Sequence, residues 1–232
     1  MRWVVLPRAP VSIAVAVLVV VVLAYLGISS HKEKQNIKGE SMLTKGIEQT
    51  RNSKSFRYKI TSRLVSEKDG ETYLSRVTGE QVAPDRVHIK GILINTPIEL
   101  VQIADTAYIK DQMTGKWIKL QGNRFAQTEL FITEINPLGV FNFKDVPILD
   151  YKGRDRQGGK KFDLLEFEPV VQNPFLETQF ADFAYKVWLY PQDHRIRKVN
   201  LQARSKNDET QKLIIDIEVW DYDKKIEINP PI

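Results

Sequence analysis

Between residues 55 and 220 the chain alternates apolar and polar residues in one short run after another, and each run ends in turn-forming residues. The first, FRYKITSRLVS, sets Phe56, Tyr58, Ile60 and Leu64 on one side and Arg57, Lys59, Thr61 and Arg63 on the other. Successive side chains of a strand point to opposite faces, so this spacing predicts a half-buried antiparallel strand. Lys68-Asp69-Gly70 marks a hairpin, because Asp-Gly readily adopts positive φ, and ETYLSRVTGEQ follows it. DRVHIKGILIN and IELVQIA continue the series across Asn95-Thr96-Pro97, then TAYIKD and KWIKL across Asp111 to Gly115. Parallel strands need long crossover connections and these links are short, so the first half reads as an antiparallel meander.

The pattern changes at FAQTELFITEINPLGVFNF, where Leu130, Phe131, Ile135 and Leu138 recur at helical spacing. Pro137 and Gly139 interrupt it, which predicts a short helix followed by an apolar loop or a second short helix. Strands resume with PILDYKGRDR and KKFDLLEFEP around Gln157-Gly158-Gly159. After an insertion, VVQNPFLETQFAD, three more close the chain: FAYKVWLYP, RIRKVNLQARS and TQKLIIDIEVWDY. Ahead of the first strand, Met42, Leu43 and Ile47 predict a short amphipathic helix. So many strands curl or close rather than stay flat. The expected fold is α+β: a strongly curved antiparallel β half-barrel with helices on the concave side.

One N-terminal transmembrane helix is expected to precede it. From Val11 to Ile28 the sequence runs 18 residues without a charge, which at about 1.5 Å per residue nearly spans a hydrocarbon core of ~30 Å. The run exceeds a usual signal-peptide core and lacks a clean small-x-small cleavage site, which favours an uncleaved signal-anchor over a removed signal peptide. Arg2 and Arg8 precede the run and Lys32, Lys34, Lys38 and Lys45 follow it. A bare count of these charges places the C-terminal side in the cytoplasm, whereas the arginine-led N-terminus resembles an export signal. The second reading is adopted: a single-pass cell-membrane protein with an extracytoplasmic C-terminal domain. The organisation is then a short N-terminal segment over 1–10, the anchor over 11–28, a polar linker over 29–40 and the half-barrel domain over 41–232.

The charge of +5 is scattered among acidic residues, so no basic stripe suited to nucleic acid forms. With no cysteine in the chain, disulfides, thiolate metal sites, cysteine nucleophiles and a lipidated N-terminal cysteine are all excluded. His31, His88 and His194 have no metal-ligand spacing. Asp163, Glu166 and Glu168 do not share a strand face; Asp216 and Glu218 do, on the polar side. Neither a phosphate-binding glycine loop nor a nucleophile elbow is present. No enzyme activity, metal or cofactor is expected, and an envelope hydrolase using Asp216 or Glu218 is the weakest reading.

Certain segments together resemble a known group: the YKI strand, APDRVHIKG at 83–91, AYIKDQMTGKWIKL, INPLGVF and the closing DYDKKIEINPPI. Their order is similar to that of the LolA-like superfamily of lipoprotein and lipid carriers, including its LppX-LprG-like members, over most of residues 40–232. The resemblance implies a half-barrel enclosing an apolar cavity for acyl chains or lipidated protein termini. It also leaves open an envelope sensor that uses the same fold to bind a protein partner. By strand or helix parity, the candidate cavity residues are Ile60, Leu64, Val87, Ile89, Leu93, Leu100, Phe131, Ile135 and Leu138. Several strands, however, carry apolar residues on both faces. Ile92 and Ile94 oppose Val87, Ile89 and Leu93, so the second face needs an apolar neighbour of its own.

Overall fold

A computed structural model of the chain describes residues 36–121 and 136–232. The expected membrane helix at 11–28 and the candidates Phe131 and Ile135 lie outside the described residues. Among the described residues no helix is long and apolar enough to cross a membrane.

Eleven strands form one antiparallel sheet. The first meander is β1 (Ser55–Ser66), β2 (Gly70–Val82), β3 (Arg86–Leu93), β4 (Thr96–Ile103), β5 (Thr106–Lys110) and β6 (Trp117–Gln121). The second half holds β8 (Leu149–Gln157), β9 (Lys160–Phe167), β11 (Phe180–Leu189), β12 (Ile196–Ser205) and β13 (Gln211–Trp220). The two halves join where β1 pairs with β13. β7 (Phe143–Asp145) and β10 (Val170–Val171) form a separate two-stranded ribbon. Alternation specifies the pairing register, since a one-residue slip would turn every apolar side chain to water.

Two inner rows carry the core. One runs Leu165, Val187, Val199, Ile217, Ile60, Val77, Gly91 from β9 to β3. The other runs Val219, Tyr58, Gly79, Ile89, Leu100, Ile109, Ile118 from β13 to β6. Glycine is needed in the second row because the ring of fully buried Tyr58 lies across the neighbouring strand, so that a Cβ on Gly79 would stand 2.1 Å from Tyr58 Cζ.

Helix α1 covers 36–51. It lies on the inner face of the second half, with Gly39 against Leu149, Gly46 against Leu189 and the carbonyl of His194, and the Thr50 hydroxyl accepting from the Ile196 amide at 3.0 Å. Residues 36–40, within the segment read as a polar linker, are helical. Asn36 Oδ1 accepts from the Leu149 amide, and Gly39 lets the helix backbone approach the sheet, a contact that the polar look of the segment conceals. The apolar loop or short helix expected after Pro137 is a 3-10 turn, Pro137–Phe141, capped by Asn136. Within the second insertion, α2 (Pro174–Gln179) is capped by Asn173 and supplies Leu176 to the core.

Part of the outer face meets the chain's own C-terminal segment, while Ile92 and Ile94 stay exposed. Ile226 and Ile228 lie across the outer side of β4–β6 against Val101, Tyr108, Ile103 and Trp117, and the Arg86 guanidinium donates to the Ile228 carbonyl at 3.0 Å. Elsewhere the outer face is a charged mosaic. Along one register row Lys198, Glu218, Lys59, Thr78, Lys90 and Glu99 alternate sign except at Thr78, the arrangement that favours cross-strand pairing.

Candidate functional site

The inner face is not covered evenly. α1, α2 and the 3-10 turn pack on or beside β8–β13, where Leu165, Val187, Leu189, Ile196 and Leu201 are fully buried. Along the Tyr58 row toward β6 the side chains stay apolar while cover thins: Ile89 and Leu100 are buried, Ile109 is half-buried, and Ile118 is 47% exposed. Ile98, the partner of Gly91, is also half-buried. An apolar strip thus runs from the packed core toward solvent across four adjacent strands.

Most of the sequence-derived candidates fall on this face. Ile60, Val87, Ile89 and Leu100 belong to one buried cluster, and Leu64 and Leu138 pack half-buried against it. Leu93 is buried too, although among the described residues it joins neither apolar cluster. Leu138 lies away from the strands, beside a cavity of about 390 Å³ that Arg51, Asn136, Phe141 and Asn173 also line. Sequence reasoning missed Ile98, Ile109 and Ile118, although the same parity that selects Leu100 selects them once the register is known.

Polar groups on the inner face are few and mostly satisfied. Ser62 and Ser75, directly paired, share a buried hydroxyl contact at 3.0 Å. The Tyr185 hydroxyl donates to the Val140 carbonyl at 2.9 Å, and burial pushes its pKa far up, so it stays a neutral donor. Its ring stacks on Phe167 and meets Phe143 edge-on, which ties the two-stranded ribbon to the sheet. Gln102, on the same face as Val87, gives its amide to the Ala104 carbonyl, and its buried Oε1 has no partner among the described residues.

Of the ionisable groups considered for chemistry, Asp163 is buried beside Leu189 on the inner face, and Asp216, Glu218 and His88 lie on the outer face. Asp216 accepts from Arg63 at 2.8 Å and from Asn200 at 2.8 Å on the outer face, and Glu218 is bound by Arg197 at 3.0 Å. Asp163 accepts from the Tyr151 hydroxyl at 2.8 Å. His88 stands 3.5 Å from Glu99, whose carboxyl is held below the usual range chiefly by its hydrogen bond from Lys110, against the opposing effect of burial. Among the described residues no three histidines or acids converge as a metal site would require.

No protein-family model matches the sequence, and no curated protein matches it. Solved structures do. The lipoprotein LppX of Mycobacterium tuberculosis aligns over 82% of this chain and 97% of its own, at 10% identity and a TM-score of 0.52. LprF of Mycobacterium bovis aligns over 84% and 97%, at 13% identity and the same TM-score. The chain has the LppX-like fold. Identities this low speak for the backbone arrangement alone, and at that level they bear out the expected resemblance to the LppX-like fold. Within the LppX-like fold, the strip from Ile89 to Ile118 belongs to this chain's own side chains.

Proposed function

We propose that this domain holds a lipid, or the acyl chain of a lipoprotein, against the inner face of its sheet without covalent chemistry. It works at the extracytoplasmic side of a membrane to which residues 11–28 tether it. The observation that carries the reading is the apolar row that leaves the core at Ile89 and Leu100 and reaches solvent at Ile118. The LppX-like fold supports it, through the carrier role that the resemblance implies.

Magnitudes agree with a long chain as ligand. Adjacent strands lie about 4.8 Å apart, so the three steps from β3 to β6 span roughly 14 Å, close to half of a ~30 Å hydrocarbon core and so to one acyl chain of a bilayer. Each methylene taken from water contributes about 0.8 kcal/mol, while association costs some 4–15 kcal/mol in lost freedom and ordering. By this comparison about 5 to 19 buried methylenes offset that cost, the range of ordinary acyl chains. The test is photo-crosslinking in membranes that carry the full chain, with a phospholipid bearing a diazirine in its acyl chain. Crosslinks mapping to β3–β6 inner residues support the reading. Labelling confined to residues 11–28, or scattered over the outer face, refutes it, and the absence of any lipid adduct points to the sensor alternative.

A further inference from the structure

The exposed apolar side chains gather at one end of the sheet. β1 and β3 run toward the end at which the turns 67–69, 94–95, 111–116 and 206–210 lie. Ile94, 56% exposed, and Met113, 97% exposed, occupy the tips of two neighbouring hairpins there, with Tyr73 and Ile92 exposed in the last rungs below. Turns at the opposite end are polar or small: Ala83-Pro84-Asp85, Ala104-Asp105, Gly158-Gly159 and Gln192-Asp193-His194. Ile94 is costly where it sits, being a β-branched residue at φ 46° in a two-residue turn with Asn95 at φ 62°, positions that normally take Asn or Gly.

The chain enters the domain at this same end. Asn36 binds the Leu149 amide. A continuous register row links Leu149 through Phe167, Tyr185, Leu201, Ile215, Ser62 and Ser75 to Leu93, the residue before Ile94. Seven residues lie between Ile28, the end of the apolar run, and Asn36, a reach of at most about 28 Å over eight extended steps. α1 then carries the chain about 24 Å away from Asn36, toward Thr50 and the opposite end. A tether at residues 11–28 therefore holds the Ile94–Met113 end, rather than the far end, close to the bilayer.

Charge agrees on the β3–β6 side. Lys90 and Lys116 flank the two tips beside Asp111, while Lys110 is paired with Glu99 at 2.9 Å. The Asp111 carboxylate is engaged within its own turn, accepting from the Met113 and Thr114 amides at 2.9 and 2.7 Å. The neighbouring hairpin, with Glu67, Asp69 and Glu71 beside Lys68, is repelled by anionic headgroups, which confines the contact to the tips of β3–β4 and β5–β6.

We infer that these two hairpin tips dock into the surface of an anionic lipid bilayer, Ile94 and Met113 entering the headgroup–acyl boundary with the flanking lysines at the phosphates. This deepens the proposed function, since it sets the open flank of the inner face beside the membrane that would supply its ligand.

The absence of cysteine makes the test direct. The full chain is reconstituted into phosphatidylcholine–phosphatidylglycerol vesicles as three single-cysteine variants, Ile94→Cys, Met113→Cys and Asp105→Cys, each with an environment-sensitive fluorophore. Blue-shifted emission at 94 and 113, lost when nitroxide lipid is included, with no such loss at 105, is expected. A second set carrying Met113→Asp with the probe at 94 should lose much of that quenching. Equal quenching at 105 and 113, or none at 113, overturns the inference. Since Met113 is almost wholly exposed, its variant does not depend on refolding of a core. Lipid crosslinking to the inner face is read separately, so failure of ligand binding and failure of docking are distinguishable.

Discussion

Gly79→Ala tests whether the Tyr58 ring really fills the space above β2. The added Cβ would stand 2.1 Å from Cζ, 2.4 Å from Oη and 2.6 Å from Cε1 of Tyr58. Carbon atoms settle near 3.5 Å or more, so the ring must retreat by about 1.4 Å. Its retreat is blocked, because Tyr58 is fully buried and packs at a tilt against Phe56 with centroids 6.1 Å apart. Overpacking costs about 1–3 kcal/mol, and expelling an aromatic ring from a core costs about 3–5 kcal/mol. Removing a strand glycine returns roughly 0.5–1 kcal/mol, which leaves a net loss of about 2–3 kcal/mol. Urea unfolding followed by tryptophan fluorescence should show the unfolding free energy fall by that amount. Tyr58→Leu is destabilising alone, but combined with Gly79→Ala it should lose less than the sum, with a coupling above about 1 kcal/mol. A neutral Gly79→Ala, or two changes that simply add, would refute the packing argument.

Ile94→Asn should raise stability by about 1 kcal/mol, since Asn visits the left-handed region more readily than a β-branched residue; for a domain of this size that is roughly 2–4 °C in a thermal melt. The same change should weaken vesicle docking, separating stability from membrane contact. Ile228→Ala uncovers Val101 and Tyr108 on the outer face and should cost about 2–5 kcal/mol in urea unfolding. The folded-state pKa of Glu99 lies below its ordinary 4.5, mainly through Lys110. Its contribution is therefore complete above that value and is lost as pH falls through the folded pKa. Glu99→Gln should flatten the acid limb of the stability curve below about pH 4.5 and leave its neutral-pH shape unchanged, as checked by melts across pH.

How much was legible depended on whether a residue's role followed from its own chemistry. Alternation placed Ile60, Val87, Ile89 and Leu100 on one face without knowledge of any partner strand, and Asp69-Gly70 announced its hairpin. The start of α1 was hidden, because its inward stripe is Gly39, Met42, Leu43, Gly46 and Thr50. Three of those five are not apolar anchors by composition, and they face inward only because a close backbone approach and a hydroxyl cap are what the sheet requires. The extent of the site was hidden too. Ile109 and Ile118 look like any half-buried strand residues until the register sets them on the row that begins with Tyr58 and Gly79. The outer cover from Ile226 and Ile228 lies in a segment without regular structure, whose role appears only through its contact with Val101 and Tyr108.

The pairing of β1 with β13 has a consequence for how the chain is made. Ser66 and Gln211, opposite each other in that pair, are about 145 residues apart in sequence, and closing a loop of that length costs roughly 4 kcal/mol in chain entropy. β1 thus waits for β13, with one backbone edge open in the interval and available to any other strand it meets. A cell making this protein must shelter that edge through nearly the whole interval between the synthesis of the two strands.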